Sequence, residues 1–364
     1  MISTLNRYIA GRVLRGIGVA FIIVTAIIML VDFVEGSRNL GSDSGITSLQ
    51  LLFLTLLKAP KFVEQTIPFV VLFGVMGALY GMNRRSELIV LRASGLSAWR
   101  FLRPALWVTA VLGIMWSAIA NPLASKMLSY QDAQMIKWSN AGEPVEVKDI
   151  WLREGTDIFQ TVIHAKRVNL TEKTLDAPVF YQLQVLPDGA TQFARRFDAK
   201  SAELVTRDYW QLNDVIENAP GEVTQRHLTI SLPTTITLDD LQAQAKTTTT
   251  PPFWEIPAAV RDNERAGFSA RGLRMQFNRL LALPIMLIAM TFIAAGVSMH
   301  LTRQGGTLRL LISGAALGFA VFFADSVISA FGEVATLPVM VASWSIPLLV
   351  LFAGIAYLSK IEDG

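Results

Sequence analysis

The sequence predicts a membrane protein: six transmembrane α-helices in a 3+3 arrangement, with an all-β, jelly-roll-like domain inserted between helices three and four. Three observations carry this. Six apolar runs are long enough to cross a bilayer, which takes about 20 mostly apolar residues. About 150 polar residues separate the first three runs from the last three. Lys and Arg gather in alternate short loops, the bias that sets membrane orientation. Composition agrees: 52% of the 364 residues are hydrophobic and 17% charged, with a mean hydropathy of +0.43, a balance that water-soluble chains rarely carry. Ordinary soluble enzymes are thereby excluded.

The runs are Gly16 to Val34, Thr66 to Met82, Pro104 to Leu123, Leu280 to Met299, Leu308 to Phe331 and Leu337 to Leu358. The second extends backwards through Phe62 and the apolar stretch from Leu51 to Leu57, and Pro60 is expected to kink or restart the helix there. The first run is too long for a cleaved signal peptide, lacks a small-x-small cleavage site and is followed by further spans.

Orientation follows from Arg7, Arg12 and Arg15 before span one, Arg84, Arg85, Arg92, Arg100 and Arg103 between spans two and three, and Arg303 and Arg309 between spans four and five. These loops and both termini are expected on the cytoplasmic side. The loop at Gly332 to Thr336 holds Glu333 and no basic residue, as an external loop should. The polar middle then faces outside. The pI near 9.1 needs no nucleic-acid partner, because the basic residues lie where topology places them. There is no cysteine, so the external domain must fold through its own apolar core, for which it is large enough.

Within that domain, Val179, Tyr181, Leu183 and Val185 alternate with Phe180, Gln182, Gln184 and Leu186, the period of a strand. Pro187-Asp188-Gly189 predicts a hairpin turn into Thr191 to Phe197, Trp210 and Leu212 mark a later strand, and Leu228, Ile230 and Leu232 another beyond Pro220-Gly221. Thr247 to Pro252 is a linker, and Trp254 to Ala266 a short helix with Pro257 in its first turn. The predicted division is 1–124, spans one to three with a loop helix at about 84–97; 125–252, the β-domain; 253–279, a connecting helix; and 280–364, spans four to six.

No chemistry-bearing motif stands out. The sequence has no His-Glu-x-x-His metal site, no Gly-x-Ser-x-Gly elbow and no phosphate loop, and His164, His227 and His300 are scattered. No catalytic or metal-binding residue is predicted. The informative segment is the loop from Asn83 to Arg100. Ser86 can N-cap a short helix with Glu87 in its first turn, where a carboxylate complements the helix dipole. Leu88, Leu91 and Arg92 then share a face, and Gly95 can stop the helix with a positive φ. A helix so placed suits docking into the cleft of a partner. It equally suits lying on anionic lipid.

Arg85-Ser86-Glu87-Leu88-x-x-Leu91-x-Ala93-Ser94-Gly95 resembles the LptF/LptG family of lipopolysaccharide export permeases. The likeness continues through Val31-Asp32, Pro60-Lys61, Ile150-Trp151 and Gly318-Phe319 to Asp325. The Ser-Glu-Leu form of the loop and the Trp151 segment are more similar to the LptG type. The resemblance implies that the loop helix is a coupling helix, with Arg84, Arg85, Ser86, Glu87, Leu88, Leu91, Arg92 and Gly95 at the contact with a homodimeric, LptB-like ATPase that holds ATP and Mg. This chain would itself bind no cofactor. It implies an LptF-like partner in a heterodimer, an LptC-like single-span protein, an LptA-like periplasmic bridge, an inner-membrane location and a periplasmic β-domain.

Ionisable groups in or beside a span are costly and face a cavity or partner. Asp32, Arg38, Lys58 and Lys61 at the external ends are candidates for an anionic glycolipid, with Phe319, Phe322 and Phe323 toward its acyl chains. Where the family places lysines near the end of span one, this sequence has Met29, Glu35 and Gly36, which leaves Arg38 as the nearest cation. Lys61 and Glu64, three apart on a helix, can simply pair. Asp325, deep in span five, could pair, bond locally or line the cavity. Gly77-x-x-x-Gly81 and Gly314-x-x-x-Gly318 allow close helix approach. The rival functions are the LptF-type subunit, an exporter of another lipid, a membrane-bound lipid enzyme, and a structural or signalling protein.

Overall fold

The computed structural model describes residues 4–39, 47–139, 146–155, 159–169, 173–185, 191–206, 209–234, 236, 251–265, 269–301 and 307–363. Its helices are α1 (Thr4–Asn39), α2 (Ser48–Arg84), α3 (Glu87–Ala93), α4 (Ala98–Met115), α5 (Asn121–Ser139), α6 (Ile256–Arg265), α7 (Arg271–Leu301), α8 (Thr307–Glu333) and α9 (Val339–Asp363). Six helical segments are long and apolar enough to cross a membrane. An antiparallel sheet domain stands between the third and the fourth.

Two helices run on through places where the sequence predicts a break or an end. α2 passes unbroken through Pro60 and Pro68 rather than restarting at Pro60. It begins where Thr47 and Gln50 close a reciprocal capping box, and apolar spans tolerate proline because neighbouring groups re-satisfy the freed carbonyls. The third long helix also continues past residue 124. After α4 it widens into one π-helical turn, Trp116–Ala120, and α5 then runs on to Ser139. Polarity rises after Leu123, but no Gly or Pro interrupts the stretch from Ala124 to Ser139, so the helix outlasts the membrane-length segment.

The membrane bundle is built around α2 and α7. In their most apolar windows 56% and 67% of residues are buried, against 6% for α1 and 11% for α8. Leu72, Met76, Leu79 and Met82 of α2 meet Leu287, Met290, Ala294 and Ala295 of α7, with Phe101 and Leu102 of α4 and Ile9 and Val13 of α1 closing the core. Glycines set the closest crossings. A Cβ on Gly74 would lie 2.5 Å from the Ile17 Cα, and one on Gly113 would lie 2.5 Å from the Pro284 Cα. Gly314 and Gly318 abut Met76 and Leu72, whereas Gly77 and Gly81 have open space around them. Of the two expected small-residue motifs, then, only that in α8 makes a close approach.

The sheet has seven strands: β1 (Glu146–Gly155), β2 (Phe159–Asn169), β3 (Thr174–Asp176), β4 (Val179–Val185), β5 (Thr191–Thr206), β6 (Tyr209–Asn218) and β7 (Gln225–Pro233). Alternation left their order open; it is sequential, β1 to β7, with β3 and β4 sharing the slot between β2 and β5. All pairings are antiparallel. A bulge opposite Gln182/Leu183 leaves Ala194 of β5 as the extra residue, Gln182 facing Arg195 and Leu183 facing Phe193. Phe180 is fully buried, with Ile163, Leu175, Trp210, Leu212 and Val215, and its ring meets Trp210 edge-on at 6.3 Å. The Pro187-Asp188-Gly189 turn, residues 247–250 of the linker and Arg303 lie outside the described residues.

Candidate functional site

Two groups of predicted residues are built by the fold, at opposite ends of the bundle. At the first, α3 is set between α2 and α4 by tight stops on both sides. Arg85 closes α2 through its N–H on the Asn83 carbonyl. Ser86 holds the N-cap place through its carbonyl, which accepts from the Val90 N–H at 3.0 Å, but at φ 61°. The positive φ differs from the extended backbone most caps adopt, since the chain must reverse from α2 into α3 within two residues. At the other end Gly95 has φ +80°, and the Leu96 N–H reaches the Leu91 carbonyl at 3.2 Å, the six-to-one bond of a Schellman stop.

The helix so fixed turns Leu88 into the core and Leu91 partly into it. The apolar surface left open is instead Ile89 and Val90, 60% and 65% exposed, flanked by exposed Arg84 and Arg85. Predicting a shared face for Leu88 and Leu91 was correct; that face packs against the protein's own bundle. Ile89 and Val90 were missed, although a seven-residue amphipathic helix leaves its β-branched neighbours on the other side. The Arg92 side chain lies outside the described part. Glu87 points to α1: its carboxylate accepts from the Tyr8 hydroxyl at 2.8 Å and faces the Arg12 guanidinium at 3.4 Å.

At the second group a cavity of about 720 Å³ opens between α2, α7, α8 and α9. Its floor is apolar, with Phe69, Leu283, Met286, Met290 and Phe322. Its rim carries two ion pairs, Lys61 with Glu64 at 3.3 Å and Arg279 with Asp325 at 3.1 Å. Gln276 also lines it, both amide atoms buried and, among the described residues, without a hydrogen-bond partner. Asn121 donates to Glu64 at 2.6 Å and accepts from the Phe253 N–H at 2.9 Å. Trp254 donates to the Ala118 carbonyl at 2.9 Å, a group exposed by the widened π turn. The chain returning from the sheet domain is thus fastened beside the cavity rim.

Of the predicted lipid-facing set, the structure brings Lys61 and Phe322 to this cavity. Asp32 and Lys58 pair with each other across α1 and α2 at 3.9 Å. Arg38 is exposed at the end of α1, and Phe319 and Phe323 stack together on the outer surface of α8. Arg279 was missed. A basic residue immediately before a span, at the end where the charge rule expects few, was the signal. Among the histidines, His164 stacks on Trp151 at 4.2 Å and His227 meets Glu217 at 3.1 Å; the His300 side chain lies outside the described part.

The family profile described as lipopolysaccharide export system permease LptF/LptG matches residues 7–360. A protein of Haemophilus influenzae named lipopolysaccharide export system permease protein LptG is 31% identical over 100 residues, which are 28% of this chain and 28% of that protein.

Proposed function

The chain belongs to the lipopolysaccharide export system permease LptF/LptG family, and on that premise we propose that it is the LptG-type half of an inner-membrane lipopolysaccharide exporter. The name of the Haemophilus relative and the Ser86-Glu87-Leu88 form of the loop support the LptG over the LptF type. Its partner in the membrane is an LptF-like subunit. ATP is hydrolysed by a homodimeric, LptB-like ATPase below, so this chain does no catalysis. An LptC-like single-span protein and an LptA-like bridge complete the path, with α3 and both termini in the cytoplasm and the sheet domain in the periplasm.

The observation that carries this reading is α3. It is short, stopped at both ends, and offers exposed Ile89 and Val90 between Arg84, Arg85 and the Glu87 carboxylate. An apolar knob ringed by charge fits a cleft in a soluble partner. A helix lying on lipid would have no use for a tie to α1.

The cavity suits the cargo. Lipopolysaccharide joins phosphate groups to fatty chains, and here Lys61, Arg279 and the Gln276 amide stand over an apolar floor. An arriving phosphate competes with Glu64 and Asp325 for the two cations, while acyl chains occupy the space beside Met286, Met290 and Phe322. Closure of the ATPase dimer moves α3, narrows the bundle and drives the lipid toward the sheet domain.

Replacement of Glu87 by Lys tests the reading. The complex is purified through this chain, and its subunits and bound lipid are identified by mass spectrometry. The variant is expected to lose most of its ATPase and its export. Full ATPase recovery with normal export would sink the coupling assignment.

A further inference from the structure

On the reading that α3 receives the movement of an ATPase, we propose that α1 is a lever. Tyr8 and Arg12 are its input end, the Gly16–Gly74 crossing is its pivot, and the outer half of span one is its load arm. Three observations support it. The first is the tie itself. Arg12 donates through Nε and Nη2 to the Tyr8 hydroxyl at 3.1 and 3.0 Å, and that hydroxyl donates to Glu87 at 2.8 Å. Arg12 faces the other carboxylate oxygen at 3.4 Å. Charge-assisted bonds are the strong ones, and this group is shared between two helices 75 to 79 residues apart in sequence. A displacement of α3 therefore acts on α1 directly.

The second is the pivot. A Cβ on Gly16 would strike the Gly74 carbonyl oxygen, and one on Gly74 would strike the Ile17 backbone, so α1 and α2 touch backbone to backbone there. Such a contact lets two helices rotate about a point without side chains unlocking.

The third is where α1 is held. Ile9, Val13 and Ile17 are buried in the bundle, whereas Val19, Ile22, Ile23, Ile27, Leu30 and Val31 are exposed. Beyond the pivot Ala20 and Val24 pack partly against the core, and the Phe21 ring meets Trp116 edge-on at 6.4 Å. At the far end the ties are the Leu51 side chain beside Gly36 and the Asp32–Lys58 pair at 3.9 Å, long enough to be released. From Tyr8 to Gly16 the arm is about 12 Å and from Gly16 to Asp32 about 24 Å, at about 1.5 Å per residue. The outer end therefore moves about twice as far as the input end.

Tyr8 and Arg12 are accordingly positioning residues for transport rather than docking residues. The chain has no cysteine, so labels can be placed at will. Spin labels at Leu30 and Leu56, both exposed, report the α1–α2 separation in the whole complex in lipid vesicles, without nucleotide and with ATP plus vanadate. A tilt of about 10° on the outer arm moves the label by about 4 Å. The Tyr8→Phe, Arg12→Gln variant is expected to keep its ATPase and hydrolyse ATP, yet lose that shift. Its extraction of lipopolysaccharide from the vesicles should fall roughly tenfold, as for loss of a hydrogen bond to a charged group. Tyr8→Phe alone, which keeps the ring in place, should reduce both readouts in part. An unchanged nucleotide-dependent shift in the double variant overturns the lever and leaves the docking reading standing. Loss of the ATPase, or failure to assemble, in both variants overturns it too, because the tie would then serve docking or folding. Failure of the docking reading is separate: it is read from Glu87→Lys, which would then keep ATPase and export.

Discussion

Asp325 and Arg279 stand 46 residues apart in sequence and 3.1 Å apart in space. Asp325 is 16% exposed and Arg279 48%. Removing the arginine strands a mostly buried carboxylate, which destabilises because a charge left without its partner keeps its desolvation cost. With Arg279 half exposed, Arg279→Ala is expected to cost about 2 kcal/mol, less than a fully buried pair would lose. The exchange Arg279→Asp with Asp325→Arg should recover part of it. Melting of the detergent-solubilised protein, followed by the fluorescence of its tryptophans, checks both. The pair was illegible in the sequence, which marks Asp325 as expensive without saying what lies across the bundle. Lys61–Glu64 was legible because three residues on a helix fix the geometry locally. Glu87 falls between: its first-turn position was readable, its two donors on α1 were not.

Elements repeat that division. Their kinds and order follow from period and run length, and the stop at Gly95 from a residue that accepts positive φ. Helix continuity through Pro60 and past Leu123 did not follow, because one depends on neighbouring helices and the other on hydropathy falling while helix propensity persists. Small-residue spacing is the clearest case. Gly77-x-x-x-Gly81 and Gly314-x-x-x-Gly318 look alike in sequence, yet α2 uses Gly74 instead, on the face that meets α1. The spacing says that two glycines share a side of a helix, not which helix lies against it. Substitution separates the cases. Gly74→Ala forces α1 and α2 apart and is expected to cost about 2 kcal/mol, as overpacking does. Gly77→Ala meets nothing within 4 Å and should stabilise by about 0.5 kcal/mol through the reduced freedom of the unfolded chain. Opposite shifts in melting temperature are the expected readout.

For the whole molecule, composition was enough to place six spans and one sheet domain, since lipid demands uniform apolarity and the polar middle breaks it. Composition could not rank the spans, because lipid-facing and core-facing surfaces are equally apolar. The structure ranks them: α2 and α7 are central, while the most apolar stretches of α1 and α8 have few fully buried residues. That pair includes the proposed load arm and the stacked Phe319 and Phe323. Two spans with such bare surfaces fit half of an exporter, whose second half supplies the missing walls. A photo-crosslinking amino acid placed at Ile27 or Phe319, both exposed, is then expected to join this chain to a second membrane subunit of similar size in the purified complex. The yield at Ile27 should change with nucleotide, since that position rides the moving arm, and the yield at Phe319 should change less. Adducts with lipid alone at both sites would mean that these faces border the bilayer, and the half-exporter reading would fail on the surface that suggested it.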